Sequence, residues 1–155
     1  MGCVSVRPVV ETARALADLT EISAQIEAAV VFDREATVVA STVDDDRAGR
    51  LAGTALDLLR AAEEARPEGA DELAQLDIAM QGGSVFIVRD GDRLIAATTL
   101  PEPTVGLVFY DLKSCLRSLG EDEKQPEKRR RAPARRPGPA RTGRTTRKKD
   151  DDAKP

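Results

Sequence analysis

Residues 28–42 read AAVVFDREATVVAST, from Ala28 to Thr42. Two runs rich in β-branched residues, Ala28–Phe32 and Thr37–Thr42, flank the polar Asp33-Arg34-Glu35, the pattern of two strands joined by a tight turn. A lone two-stranded hairpin is at best marginal in water, so the flanking chain must supply both further strands and a cover. Upstream, Leu16, Leu19, Ile22 and Ile26 step by three or four and predict an amphipathic helix from Pro8 to about Glu27, with Pro8 suited to its first turn.

Downstream, Asp44, Asp45 and Asp46 open a second helix that ends at Arg66 before Pro67, with acids at the positive end of the helix dipole and a base at the negative end. Its expected inner face is Leu51, Ala55, Leu58, Leu59 and Ala62. The same helix carries Gly49, Ala52 and Gly53, although a helical glycine costs about 1 kcal/mol relative to alanine. Such small residues permit a close approach, either of the chain's own sheet or of a second subunit.

From Leu73 to Gln81 the alternation is regular, with Ala74, Leu76, Ile78 and Met80 on one side and Gln75, Asp77 and Gln81 on the other, a half-exposed strand. Gly82-Gly83 then turns into Val85–Val88, and Asp90-Gly91-Asp92 turns into Leu94–Thr99, giving a three-stranded antiparallel meander. After Pro101 and Pro103, Thr104 is placed to cap a last helix with Val108, Leu112, Cys115, Leu116 and Leu119 on its apolar side and Gly120 at its end. The order is helix-β-β-helix-β-β-β-helix, an α+β domain with a mainly antiparallel five-stranded sheet rather than an open parallel nucleotide-binding sheet.

Composition divides the 155-residue chain at the same point. After Leu119 it contains no Val, Ile, Leu, Met, Phe, Tyr or Trp, so the remainder lacks the apolar surface that offsets ordering entropy, and a disordered tail is expected. Residues 1–120 hold 11 basic against 20 acidic residues, whereas residues 121–155 hold 13 basic against 7 acidic. The expected organisation is a short N-terminal extension over 1–8, one domain over 9–119 and a basic tail rich in Pro and Arg over 120–155. Arg129, Arg130, Arg131, Arg135, Arg136, Arg147, Lys148 and Lys149 are the candidate polyanion contacts, suited by charge to nucleic acid, anionic membrane or an acidic protein. Without aromatic residues among them, such contact is salt-sensitive and unselective.

Cys3 and Cys115 form no metal or disulfide framework, the longest wholly apolar run is Ala28–Phe32, and the N-terminus has no signal core, so a reducing, cytoplasmic setting without a transmembrane segment is expected. Met1-Gly2-Cys3 departs from the myristoylation pattern at Val6. The chain has no histidine, Lys113 is its one lysine before the tail, and it has no GxxxxGK[ST] loop, so no catalytic constellation, cofactor site or nucleotide hydrolysis is expected. Asp44–Asp46 read as a helix start rather than a metal site, Asp90 and Asp92 as turn residues, and Cys115 as a packing residue. Arg34, Arg47 and Arg50 cluster in sequence; they read either as a charge donated in trans to a transferring phosphate or, more simply, as solvated surface.

Ala29-Val30-Val31-Phe32-Asp33 followed by Thr37-Val38-Val39-Ala40-Ser41, the acid-started helix, the three strands and the Thr104-Val105-Gly106-Leu107 helix start together resemble the Roadblock/LC7 domain family over residues 9–119. The resemblance implies a non-catalytic homodimer, or a heterodimer with a similar domain, whose paired sheets form a platform for a small Ras-like GTPase; bacterial members resemble regulators of a polarity or signalling GTPase that act on its switch regions. It further implies a dimer seam drawn from Gly49, Leu51, Ala52, Gly53, Ala55 and Leu58 of the second helix and Leu76 and Ile78 of the strand. Independently, an edge strand polar on one side is a place where a second copy can close the sheet. The alternative is an adaptor whose tail tethers it to a polyanion.

Overall fold

The computed structural model describes residues 6–131, with side chains described over 9–121. Its elements are α1 (Val6–Ile22), β1 (Ile26–Asp33), β2 (Val38–Ser41), α2 (Asp45–Glu64), β3 (Gln75–Met80), β4 (Gly83–Asp90), β5 (Arg93–Thr99) and α3 (Val105–Arg131). The five strands form one sheet in the order β2-β1-β5-β4-β3, and every neighbouring pair is antiparallel. The element order and antiparallel sheet are those the sequence predicts.

Both hairpin turns of the meander are enforced by glycine. Gly83 has φ +149°, and a Cβ there would meet the Thr99 carbonyl oxygen at 2.2 Å; Gly91 holds the left-handed φ of +62°. The β1–β2 turn is closed by Asp33, whose Oδ1 accepts from the backbone N–H of Glu35 and Thr37, both at 2.9 Å, while Ala36 takes a left-handed φ of +64°.

The pleat sends alternate side chains to opposite cores. Ala29, Val31, Phe86, Val88, Ile95 and Ala97 face α1 and α3, where Leu16, Leu19, Val108, Leu112 and Leu116 cover them. Val30, Phe32, Ile87, Leu94 and Ala96 face α2, where they meet Ala48, Ala52, Ala55, Leu56 and Leu59.

Three expectations need correction. Ile26, expected on the first helix, belongs to β1 opposite Thr99; its four-residue spacing from Ile22 is a coincidence of period, since the helix stripe ends at Leu19 and Ile22 is exposed. The buried face of α2 is centred on Ala48, Ala52, Ala55, Leu56 and Leu59 rather than on Leu51, Leu58 and Ala62, which are only partly buried. Gly120 does not end α3, which continues to Arg131; Gly120 lacks the left-handed φ by which a glycine closes a helix. Among the residues whose side chains are described, Leu119 is the last buried one. The rest of the tail expected to be disordered, residues 132–155, and the N-terminal Met1–Cys3 lie outside the described residues. Among the described residues no helix is long and apolar enough to cross a membrane.

Candidate functional site

α2 starts where the acidic run places it. Asp44 Oδ1 accepts from the Arg47 backbone N–H at 2.9 Å, and the Asp44 carbonyl accepts from the Ala48 N–H at 2.8 Å, so this acid satisfies a free donor at the helix start. The alanine stripe then seats the helix on β1, β2 and β5. With α2 lying over that half of the sheet, β3 projects past its cover.

β3 is the sheet's edge, with β4 on one side and no strand on the other among the described residues. Leu76 stands opposite Ile87, and Ile78 opposite Val85, so both point to the α2 side. They are only partly buried, and Met80, next on that face, is 57% exposed. Leu51 and Leu58 are partly buried on α2 and pack against the same cluster, while Gly49 is exposed and Gly53 partly so. Neither glycine has a neighbour within 4 Å of the place a side chain would occupy, so nothing in the chain itself requires glycine there. The candidate seam therefore divides. Leu51, Leu58, Gly49, Gly53, Leu76 and Ile78 keep exposed surface, whereas Ala52 and Ala55 are fully buried in the chain's own core and offer a second subunit no surface.

An arginine cluster fixes the connection between α2 and β3. Arg89 of β4, its side chain 9% exposed, donates to Glu63 Oε1 and to the Leu73 carbonyl, both at 2.5 Å, and lies 3.2 Å from Glu72. The hydrogen bond from Arg89 holds the Glu63 carboxyl below the usual carboxylate range, against the upward push of burial. Arg34 reaches from the β1–β2 turn to Glu72 at 3.3 Å, Asp92 at 3.2 Å and the Gly91 carbonyl at 3.0 Å. Arg34 is thus a tie between turns in this structure, while Arg47 and Arg50 stand exposed on the first turns of α2. Sequence reasoning missed Arg89 because a single arginine in an apolar strand carries no local signal of its partners, which lie 26 and 17 positions away.

Cys115, on α3, is buried in the core that α3 shares with α1, and burial, followed by the nearby Asp18, pushes its thiol up to about 11, the state of an inert packing residue. Of the candidate polyanion contacts, Arg129, Arg130 and Arg131 fall at the end of α3, and Arg135, Arg136, Arg147, Lys148 and Lys149 lie outside the described residues.

The Roadblock/LC7 domain model matches residues 12–99, more than half of the chain. The Roadblock/LC7 domain from Streptomyces avermitilis superposes with a TM-score of 0.64 at 17% identity, covering 73% of this chain and 98% of that one. Myxococcus xanthus MglB gives 0.61 at 14% identity over 80% of this chain and 93% of its own. The gliding protein MglB of Thermus thermophilus gives 0.57 at 16% over 78% and 91%. At these identities the likeness is one of fold. No curated protein matches the chain.

Proposed function

The chain belongs to the Roadblock/LC7 domain family, and from that premise we propose that it is a non-catalytic dimeric platform that binds a small Ras-like GTPase and regulates it in cytoplasmic signalling. The observation that carries the reading is the incomplete cover on the α2 side of the sheet: Leu51, Leu58, Leu76, Ile78 and Met80 remain exposed in part beside the β3 edge. Joining two β3 edges across a twofold axis would continue the sheet between subunits and bring the outer faces of two α2 helices together, removing one apolar patch with the other. Gly49 and Gly53, with open space around them, suit the close approach of such a helix pair. The chain has no histidine and no GxxxxGK[ST] phosphate loop, so its effect on a GTPase would come from holding the switch regions, in the manner of an adaptor or co-regulator. The domain proper is residues 9–119, ending with the core, and 120–155 is its basic appendage.

Two measurements test this. Light scattering on the purified protein should give a dimer, and Leu58→Asp or Leu76→Asp should give a folded monomer; an unchanged dimer from both variants removes the proposed seam. A small GTPase from the native cell extract should bind preferentially in either its GDP or its GTP-analogue state, and the absence of any GTPase in both states removes the regulator reading.

A further inference from the structure

The opposite side of the molecule carries a second feature, an open groove of about 560 Å³ between α1 and α3. Leu19 and Cys115, both buried, form its floor, and Ile22, 78% exposed, and Tyr110, 68% exposed, stand on its lip. The charged side chains lining it are Glu11, Asp18 and Asp111 with a single base, Arg14. An acidic groove with an exposed aromatic ring suits guanidinium groups, which pair with carboxylates and stack on ring faces.

The chain holds such a ligand. Arg141, Arg144 and Arg147 recur every third residue, followed by Lys148 and Lys149, in a stretch otherwise made of Thr and Gly. In an extended, polyproline-like backbone that period places the three arginines on one side at about 9.3 Å intervals. Glu11 and Asp18, seven residues apart on α1, share one helix side at about 10.5 Å. The two spacings match closely enough for neighbouring arginines to meet successive acids.

Chain length decides which part of the tail can arrive. From Ser118, the last groove residue on α3, the helix runs on to Arg131, about 20 Å away, and Asp111 is about 30 Å back from Arg131. Arg135 lies four residues past the helix end and reaches at most about 14 Å, short of the whole groove. Arg144 lies thirteen residues past it and reaches about 43 Å, enough for every acid in the groove.

We propose that the α1–α3 groove is the docking site of the chain's own Arg141–Lys149 segment, held by Glu11, Asp18 and Asp111 and by stacking on Tyr110. The docked segment is withheld from polyanions, so the tail's two uses exclude one another.

Carbodiimide cross-linking of the full-length protein at low salt tests this, because Lys148 and Lys149 would then form amide links to groove carboxylates that peptide mass spectrometry assigns. An equal mixture of light and ¹⁵N-labelled chains separates links within one chain from links between copies. Links from Lys148 or Lys149 concentrated on Glu11, Asp18 and Asp111 within one chain are expected. They should disappear at about 1 M salt, where the screening length is about 3 Å, and in the triple variant Arg141→Ser, Arg144→Ser, Arg147→Ser, which keeps the lysines and leaves the folded core untouched. Links spread evenly over the acidic surface, including Asp44–Asp46, overturn the proposal, as do links found only between copies or yields unchanged in the triple variant.

Discussion

The two sides of the sheet are finished differently. Facing α1 and α3, large side chains fill the space: Phe86 and Phe109 meet edge to face at 5.1 Å and 79°, with Leu16 and Leu112 fully buried around them. Facing α2, a single helix approaches on Ala48, Ala52 and Ala55, and the cover runs out before β3. On the first side the sheet itself is covered within one chain, and what stays exposed, Ile22 and Tyr110, lies on the outer surface of the covering helices. The second is close-fitting at its centre and unfinished at its rim, which is what a face awaiting a second copy requires.

Phe86→Ala is the strongest way to break that contrast. It empties the closed side, where no partner or rearranged loop fills the space, and should cost about 3–5 kcal/mol of unfolding free energy by denaturant titration. Leu58→Asp on the open side, where the side chain is only partly buried, should cost the isolated chain clearly less than Phe86→Ala while abolishing the dimer. If Leu58→Asp instead unfolds the chain as severely as Phe86→Ala, the two sides are one core and the contrast is false.

The rim of the open side has its own fastening, and Arg89→Met should release it. The substitution removes the pairings with Glu63 and Glu72 and the bond to the Leu73 carbonyl, at a cost of about 1.5–3 kcal/mol. Because Arg89 lowers the folded pKa of Glu63 beneath its ordinary 4.5, the pair's contribution is whole above about pH 4.5 and fades as the pH falls through the folded value. The wild-type chain should therefore lose stability more steeply than the variant below that pH; parallel curves would show that Glu63 gains nothing from Arg89.

How much of this was legible in the sequence follows the same division. Two β-branched runs around the polar Asp33-Arg34-Glu35 disclosed the hairpin Ala28–Thr42, and alternation with turn glycines disclosed the meander, because strand propensity, a two-residue period and a positive φ are local properties. The face of α2 was misread by about one position, since leucines outweigh alanines in any hydrophobic tally, whereas close seating on a sheet selects the alanines and leaves Leu51 and Leu58 to its flanks. Partners distant in sequence were not legible at all: β1 beside β5, Arg89 with Glu63, and the meeting of Glu11, Asp18 and Asp111 in one groove arise only when the chain is folded.

The smallest expected effect concerns Ala36, whose methyl packs at the margin of the α2-side cluster and whose φ is +64°. A non-glycine residue in the left-handed region costs about 1–2 kcal/mol, and glycine relieves that cost. Against it stand the greater freedom glycine has in the unfolded chain, about 0.5–1 kcal/mol, and a part of the roughly 0.8 kcal/mol of a buried carbon. The balance is close to zero, leaning to a gain of a few tenths, so Ala36→Gly should shift the unfolding midpoint slightly upward. A clear loss of stability would mean that even a single methyl at this margin is packed as tightly as the closed side, and that the open face is less open than its partly buried leucines suggest.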